Sequence, residues 1–301
     1  MNRAQHYSLL RAMEIDKKNL LKYQEIYNYA YILSDGIFKI VFAEEKDHTL
    51  LISLVNAMLD LHDGDAIKEI SLEMQEFPGV FCKKDCIVDI IGTTNAGEKV
   101  LVEVQQQGDD FYRDRVEYYT SRVIENQVHT SKKYELPRIY FLGLLDFTLF
   151  PEEPQKYIHH VDEMCNGRKF FPKIQKIFVE IEKFFRLEEK GISTNDSSEA
   201  AQWLRAIKVI VNEEPVPEKI MQNEMFRRLL DSVKLINFVD NYIAEYEIGF
   251  AEGKSEGREA GLAEGELKKA REMAKGLRDD GVPMEIIVRR SGLSEEEIRK
   301  L

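Results

Sequence analysis

The stretch Cys86-Ile87-Val88-Asp89-Ile90-Ile91-Gly92-Thr93, followed by Thr94-Asn95-Ala96-Gly97-Glu98 and Lys99-Val100-Leu101-Val102-Glu103-Val104-Gln105-Gln106, decides how the chain is read. Two β-branched runs separated by a short polar segment with a glycine predict a β-hairpin. Folding it about Ala96 places Asp89 opposite Glu103, Ile87 opposite Gln105 and Ile91 opposite Leu101. The period of two puts all six on one face of the sheet. Val88, Ile90, Val102 and Val104 then line the other, wholly apolar face, the side packed deepest in the core.

Two carboxylates facing each other across a hairpin sit about 5 Å apart at Cβ and repel, so the sheet needs something to neutralise them. A divalent cation does so, and hard oxygen ligands at this separation suit Mg²⁺ or Mn²⁺, which polarises a phosphoryl oxygen or generates a hydroxide nucleophile. The other reading is a one-residue slip of register that takes one carboxylate to solvent.

Outward from the hairpin, residues 36–61 pass from a Phe/Ile/Val-rich segment into a helical pattern through Leu50, Leu51, Leu54, Val55 and Met58. Asp63-Gly64-Asp65 punctuates the chain, and Ile67 to Glu76 reads as a strand with Ile70, Leu72 and Met74 alternating. Phe111 to about Thr130 places Val116, Tyr119, Val123 and Gln127 on one helical stripe. Pro137 then leads into an apolar strand from Ile139 to Leu145. Strand, helix, strand implies a crossover to a parallel neighbour. Ile174 to Phe185 fits either a strand followed by a helix or one amphiphilic element. Gly191 to Ser198 has linker composition, and Ala200 to Val211 and Lys219 to Glu247 read as helices.

At 301 residues the chain is long enough for about two compact units. Its 42 basic and 54 acidic side chains give a net charge of −12, which opposes a broad non-specific grip on nucleic acid and leaves phosphate binding to a local basic face. The longest near-apolar run, Ile139 to Phe150, contains Asp146 and is too short to span a bilayer, so no membrane role is expected. The first residues carry no secretory pattern. With Cys82, Cys86 and Cys165 too few for a disulfide framework, the expected location is a reducing cytoplasm. Cys82-x3-Cys86 has one near-permissible zinc-ligand spacing but no second pair, and His159-His160-x-Asp162-x2-Cys165 offers ligand types at no recognised spacing, so both read as packing residues and a solvated polar stretch.

Taken together, several segments resemble the recombination-promoting nuclease/transposase (Rpn) family of PD-(D/E)XK nucleases. These are Ser34-Asp35-Gly36-Ile37-Phe38-Lys39 with Phe42, Leu54-Val55-Asn56-Ala57-Met58-Leu59, Val88-Asp89-Ile90 and Val102-Glu103-Val104-Gln105. Arg115, Tyr118-Tyr119, Gln127, Tyr134 and Phe178-Val179-Glu180-Ile181-Glu182-Lys183-Phe184 continue the match. The resemblance implies an α/β fold, a restriction-endonuclease-like mixed sheet flanked by helices, with a helical C-terminal extension. It also implies an Mg²⁺- or Mn²⁺-dependent DNA endonuclease, linked to recombination or mobile elements, with Asp89 and Glu103 as metal ligands and Gln105 as the third catalytic position. Gln105 stands where the motif carries lysine, and a neutral amide brings no positive charge to the transition state. It either orients the attacking water or marks a site that has lost activity.

Asp35 and Lys39, four residues apart, offer an accessory carboxylate and a compensating cation, or else an exposed ion pair of a few tenths of a kcal/mol. Arg113, Arg115 and Arg122 with Tyr112, Tyr118 and Tyr119 offer phosphate and base contacts, but interleaved acids make most of that helix a solvated face. Arg115 and Gln127 are the DNA-contact candidates that the resemblance supports.

The reading divides the chain into a nuclease-like core (30–186), a linker and helical region (187–248), a glycine-repeat connector (249–266) and a small helix-turn-helix-like module (267–301). Gly249, Gly253, Gly257, Gly261 and Gly265 recur every four residues. Interior helical glycine costs roughly 1 kcal/mol against alanine, so this repeat is either a helix held by close pairing, including self-association into a homo-oligomer, or a frayed connector. In the last module Ser294 and Glu297 form a capping box, while Glu295, Glu296 and Glu297 repel DNA from the turn that a DNA-reading helix would present. The alternative function is a catalytically weak nuclease-like protein that binds DNA or protein and assembles through its tail.

Overall fold

In the computed structural model, strand β4 (Ile90–Thr94) pairs antiparallel with β5 (Lys99–Gln105), Ile90 facing Val102 and Ile91 facing Leu101. This is the register read from the sequence. Gly97 turns the hairpin at φ 78°, a left-handed conformation that suits glycine. The structure describes residues 1–16, 18–73, 76–77, 86–127, 135–192, 196–238, 271–276, 279 and 284–300.

One part of the hairpin differs from expectation. The first strand does not run unbroken from Cys86, because the chain bends at Asp89. The Asp89 carboxylate accepts a 2.7 Å hydrogen bond from the Val104 amide, so a side chain takes a ladder position that backbone would otherwise fill. Cys86–Ile87 (β3) pairs instead with Glu76–Phe77 (β2) in a separate two-stranded sheet. Ile87 therefore does not face Gln105. Val88 also changes company, clustering with Ile91 and Leu101 rather than with Ile90 and Val102.

The main sheet has six strands in the order β1-β4-β5-β6-β10-β7, where β1 is Ile70–Leu72, β6 Ile139–Leu145, β7 Ile158–Val161 and β10 Ile174–Glu180, while β8 (Met164–Cys165) and β9 (Arg168–Lys169) form a small hairpin of their own. β5, β6 and β10 run parallel, as the strand-helix-strand pattern implied, while β1, β4 and β7 are antiparallel to their neighbours. Every residue of β6 is buried, the mark of a strand covered on both faces. Helix α5 (Tyr112–Gln127) supplies one cover, its Tyr112, Val116 and Val123 packing on Ile91, Leu101, Phe141 and Phe178. Helix α4 (Thr49–Leu59), apolar nearly all round, lies against β6 and β10 and is covered in turn by α7 (Glu199–Asn212). Helix α3 (Asp35–Phe42) approaches β5.

The undecided segment after Lys173 resolves into β10 and then α6 (Ile181–Glu189). At the junction the fully buried Glu180 carboxylate accepts from the Leu149 and Phe150 amides and meets His159 and Lys183. Lys183 also donates to the Phe150 and Glu153 carbonyls. The loop after β6 is thus fastened to the end of β10, and the buried charges are paired and hydrogen-bonded. The single helix expected from Lys219 is broken: α8 (Glu218–Gln222) stops at Asn223, whose side chain accepts from the Met225 and Phe226 amides to start α9 (Glu224–Ser232).

Two compact units emerge, Met1–Val239 and Asp240–Leu301. The first includes α1 (Arg3–Ile15) and α2 (Asn19–Gln24), for which the sequence pattern gave no assignment. In the second, Ser294 and Glu297 form the expected capping box ahead of helix Glu295–Arg299. Ala274, Ile287, Leu293 and Ile298 make its small core. The glycine repeat from Gly249 to Gly265 lies outside the described residues. Among the described residues no helix is long and apolar enough to cross a membrane.

Gly143, opposite Glu103 in the β5–β6 register, is packed so closely that a Cβ there would lie 2.8 Å from the Tyr112 hydroxyl and 2.9 Å from the Phe178 ring. Gly143→Ala is expected to destabilise the chain by about 1–3 kcal/mol, the usual cost of overpacking, read as a lowered urea midpoint. An unchanged midpoint would show that the α5 packing is looser than described.

Candidate active site

Asp35 opens α3, and Lys39 stands one turn later on the same side, their charged groups 2.7 Å apart as the four-residue spacing predicts. The pair is not an isolated surface contact. Lys39 Nζ also lies 3.6 Å from Asp89 Oδ1, so α3 delivers a cation to the bend where the hairpin begins. Asp89 keeps only 8% of its surface exposed and Glu103 3%. Elements packed over the sheet explain that burial, Lys39 of α3 standing beside Asp89 and Tyr112 and Arg115 of α5 near Glu103.

From Glu103 a chain of hydrogen bonds runs to α5. Gln105 Nε2 donates to Glu103 Oε2 at 3.0 Å, and Arg115 Nη2 donates to Gln105 Oε1 at 2.8 Å. Both ends of the Gln105 amide are thereby fixed. Arg115 also pairs with Asp109 at 3.0 Å and lies over the Tyr112 ring. Tyr112 is buried, and its hydroxyl has no hydrogen-bond partner. Burial first, and then the nearby Glu103 charge, push that hydroxyl far above its ordinary pKa.

Burial dominates the titration of the carboxyls as well. It raises Asp89 to about 7, aided by the hydrogen bond shared with Asp35 and opposed by the Val104 amide and Lys39. Burial raises Glu103 to about 8, with the Asp89 charge adding to the shift and Gln105 and Arg115 opposing it. For Asp35 burial also acts upward, but hydrogen bonds with Asp89 and Lys39 outweigh it and leave that carboxyl below its usual range. The pattern is that of two acids sharing a proton.

Three carboxyls face two cations, Lys39 and Arg115. With all three ionised the group carries surplus negative charge in a water-poor setting, which a divalent cation would offset. Mg²⁺-type ions typically bind through one or two carboxylates and keep several waters, so Asp89 and Glu103 fit such an ion by donor chemistry. Among the described residues no group of three or more His, Cys, Asp or Glu side chains forms a ready-made metal cage. His159, one of the residues set aside as a zinc candidate, is turned to Glu180 instead, and Cys165 is free and exposed.

The family model of PD-(D/E)XK nuclease family transposases matches residues 32–249, well over half of the chain, and the protein belongs to this family. No curated protein and no solved structure matches it. The six-stranded mixed sheet flanked by helices is the α/β core that this family membership calls for. PD-(D/E)XK nucleases generally use divalent metal ions.

Of the residues singled out from sequence, the structure gathers Asp35, Lys39, Asp89, Glu103, Gln105 and Arg115. Gln127 stands apart at the end of α5, about 18 Å along the helix from Arg115 at 1.5 Å per residue. The other α5 cations are committed to protein partners, Arg113 to the Leu149 carbonyl and Arg122 to Glu125. Sequence reading missed Arg3 and Tyr7 of α1, which reach Gln106, the residue after Gln105. No periodicity or spacing links positions a hundred residues apart.

The raised carboxyls make stability depend on pH. An acid that is harder to ionise in the folded chain holds its proton more tightly there, so the folded state loses stability as pH rises from about 4, where the unfolded groups ionise, to about 8. Glu103→Gln is therefore expected to raise the melting temperature of metal-free protein at pH 8 and to leave it nearly unchanged at pH 4. Equal shifts at both pH values would show that Glu103 ionises as freely folded as unfolded.

Proposed function

We propose that this protein is a divalent-metal-dependent DNA endonuclease. The supporting observation is the burial of Asp89 and Glu103 together, at the open end of the hairpin, in a member of a nuclease family. Asp89 and Glu103 would hold Mg²⁺ or Mn²⁺. Such an ion polarises a phosphoryl oxygen and lowers the pKa of a bound water.

The remaining residues have separate tasks in this reading. Gln105 has two amide hydrogens, and with one on Glu103 the second is available to hold the attacking water. Arg115 fixes which way the amide points. Lys39 keeps its proton because its two carboxylate neighbours outweigh its burial, and it supplies beside Asp89 the positive charge that an amide at position 105 does not. Gln127 is placed too far along α5 to join these steps, and any DNA contact it makes is remote from the carboxyls. DNA is the proposed substrate, and a reducing cytoplasm the proposed compartment. The tail beyond residue 239 is proposed as a separable module, with the glycine repeat as its self-association element.

Asp89→Asn and Glu103→Gln are expected to abolish metal-stimulated cleavage of plasmid DNA while retaining the folded circular dichroism spectrum. Wild-type cleavage by both variants would remove these carboxyls from the reaction. The neutral amide at 105 favours a second reading, a weakly active protein that binds DNA or protein. Calorimetric titration with Mn²⁺ beside a nicking assay separates the two, because a binding protein of that kind neither takes up the ion nor nicks.

Gln105→Ala is expected to lower turnover by roughly 10²-fold, the scale of losing one positioned donor, with Mn²⁺ affinity changed less than about tenfold since a neutral amide carries no ligand charge. In Gln105→Lys the new ammonium would lie between Glu103 and Arg115 and weaken Mn²⁺ binding. If neither substitution changes cleavage or Mn²⁺ affinity, Gln105 lies outside the reaction.

A further inference from the structure

Helix α1 precedes the segment that matches the family, yet it belongs to the same compact unit and its first turns lie against the end of β5. Arg3 Nη1 donates to the Gln106 carbonyl at 2.5 Å and to the Asp146 carbonyl at 3.2 Å, and it lies 3.6 Å from the Asp146 carboxylate, so part of its charge is already met. Those two residues flank the end of the β5–β6 ladder, where the Asp146 amide bonds the Gln105 carbonyl at 2.9 Å. Tyr7 Oη donates to the Gln106 side chain at 2.8 Å. One turn of α1 is thus held within a residue of Gln105.

The face that α1 leaves to solvent has a definite chemistry. Arg3, Tyr7 and Arg11 follow one another at four-residue spacing and share a face. Arg3 keeps 39% of its side-chain surface exposed beyond the Nη1 contacts, Tyr7 is 38% exposed, and Arg11 is exposed. No acid occurs in the helix before Glu14. In a chain of net charge −12, that makes α1 a local basic surface of the kind a phosphate backbone needs. The α5 arginines do not offer an equivalent one, since Asp114, Glu117 and Glu125 are interleaved with them on their own helix.

We propose that α1 is a track for a single DNA strand leading to the Asp89–Glu103 site, with Arg3 and Arg11 on phosphates and Tyr7 stacked on a base. Eight residues of helix span about 12 Å, the reach of a few nucleotides of an extended strand. Alternating cations with an exposed aromatic is how strands are held without sequence preference. This rests on the nuclease reading for its substrate, but it concerns residues that the carboxyl chemistry does not use.

The test measures binding of a fluorescein-labelled single-stranded oligonucleotide to the full chain in Ca²⁺, across a salt series, together with Mn²⁺ affinity. Arg3 is left unchanged because it also anchors α1. Arg11→Ala is expected to flatten the slope of log affinity against log salt by about 0.7, the share of one phosphate contact. Tyr7→Ala is expected to weaken binding about 5- to 150-fold with the slope unchanged. Tyr7→Phe keeps the ring, loses the bond to Gln106, and is expected to bind as wild type. Mn²⁺ affinity should stay constant throughout. If wild type binds the strand and both alanine variants match it in affinity and slope, the track is wrong while the nuclease reading stands. If wild type neither binds nor cuts DNA, the nuclease reading falls and takes the track with it.

Discussion

The hydrogen bond from the Val104 amide to the Asp89 carboxylate organises the centre of this protein. It ends the β4 ladder early, bends the chain, and turns an acidic side chain inward at the same point. An uninterrupted hairpin would have carried β3 on beside Gln105. Instead β3 leaves to pair with β2, and the end of β5 is open to α3 on one side and to the α5 residues on the other. Lys39 and Arg115 enter through those openings. The carboxyls are thus held by the two covers of the sheet as well as by the sheet itself.

Rigidity around the group comes from groups whose polar demands are met elsewhere. Glu180, His159 and Lys183 are all buried, and they satisfy one another and the loop that follows β6. That network fixes the neighbour of the very strand that supports Glu103. Gly143 contributes by absence: a side chain there would displace Tyr112, and α5 would carry Arg115 away from Gln105. Close packing next to buried charge leaves the carboxyls little room to relax, which is why their ionisation resists so strongly.

Much of this was legible in the sequence because it is local. The hairpin register follows from alternation and a glycine turn, β6 from an unbroken apolar run, and the Asp35–Lys39 pair from helical spacing. The bend at Asp89 was not legible, since alternation assumes that every backbone group keeps its ladder partner and a carboxylate can take one instead. The break at Asn223 was hidden similarly: asparagine is compatible with a helical pattern, and only its side-chain bonds to the next turn make it a cap. For the candidate site, Glu103 and Gln105 were legible as alternate residues on one strand face and Asp89 as the acid across the hairpin, although Asp89 sits at the bend rather than in the ladder opposite Glu103. The inward commitment of Arg115 was not, because a solvated helix and a helix donating into a site share the same mixed-charge pattern.

Net charge is the other place where the whole misleads about the part. An excess of acids spread over the surface keeps DNA at a distance in general, yet screening confines that repulsion to about 8 Å at physiological salt. What a strand meets at the mouth of the carboxyl group is therefore set by the few side chains there. In the proposed reading Asp35, Asp89 and Glu103 repel it until a cation is bound, and the nearby cations are already committed, Lys39 to Asp35 and Asp89 and Arg115 to Asp109 and Gln105. A strand approaching this site needs positive charge from an element that the carboxyls have not already used. In the proposed reading that charge comes from α1, whose basic face lies beside Gln106 and outside the family-matched segment, and the carboxyls are left to the metal.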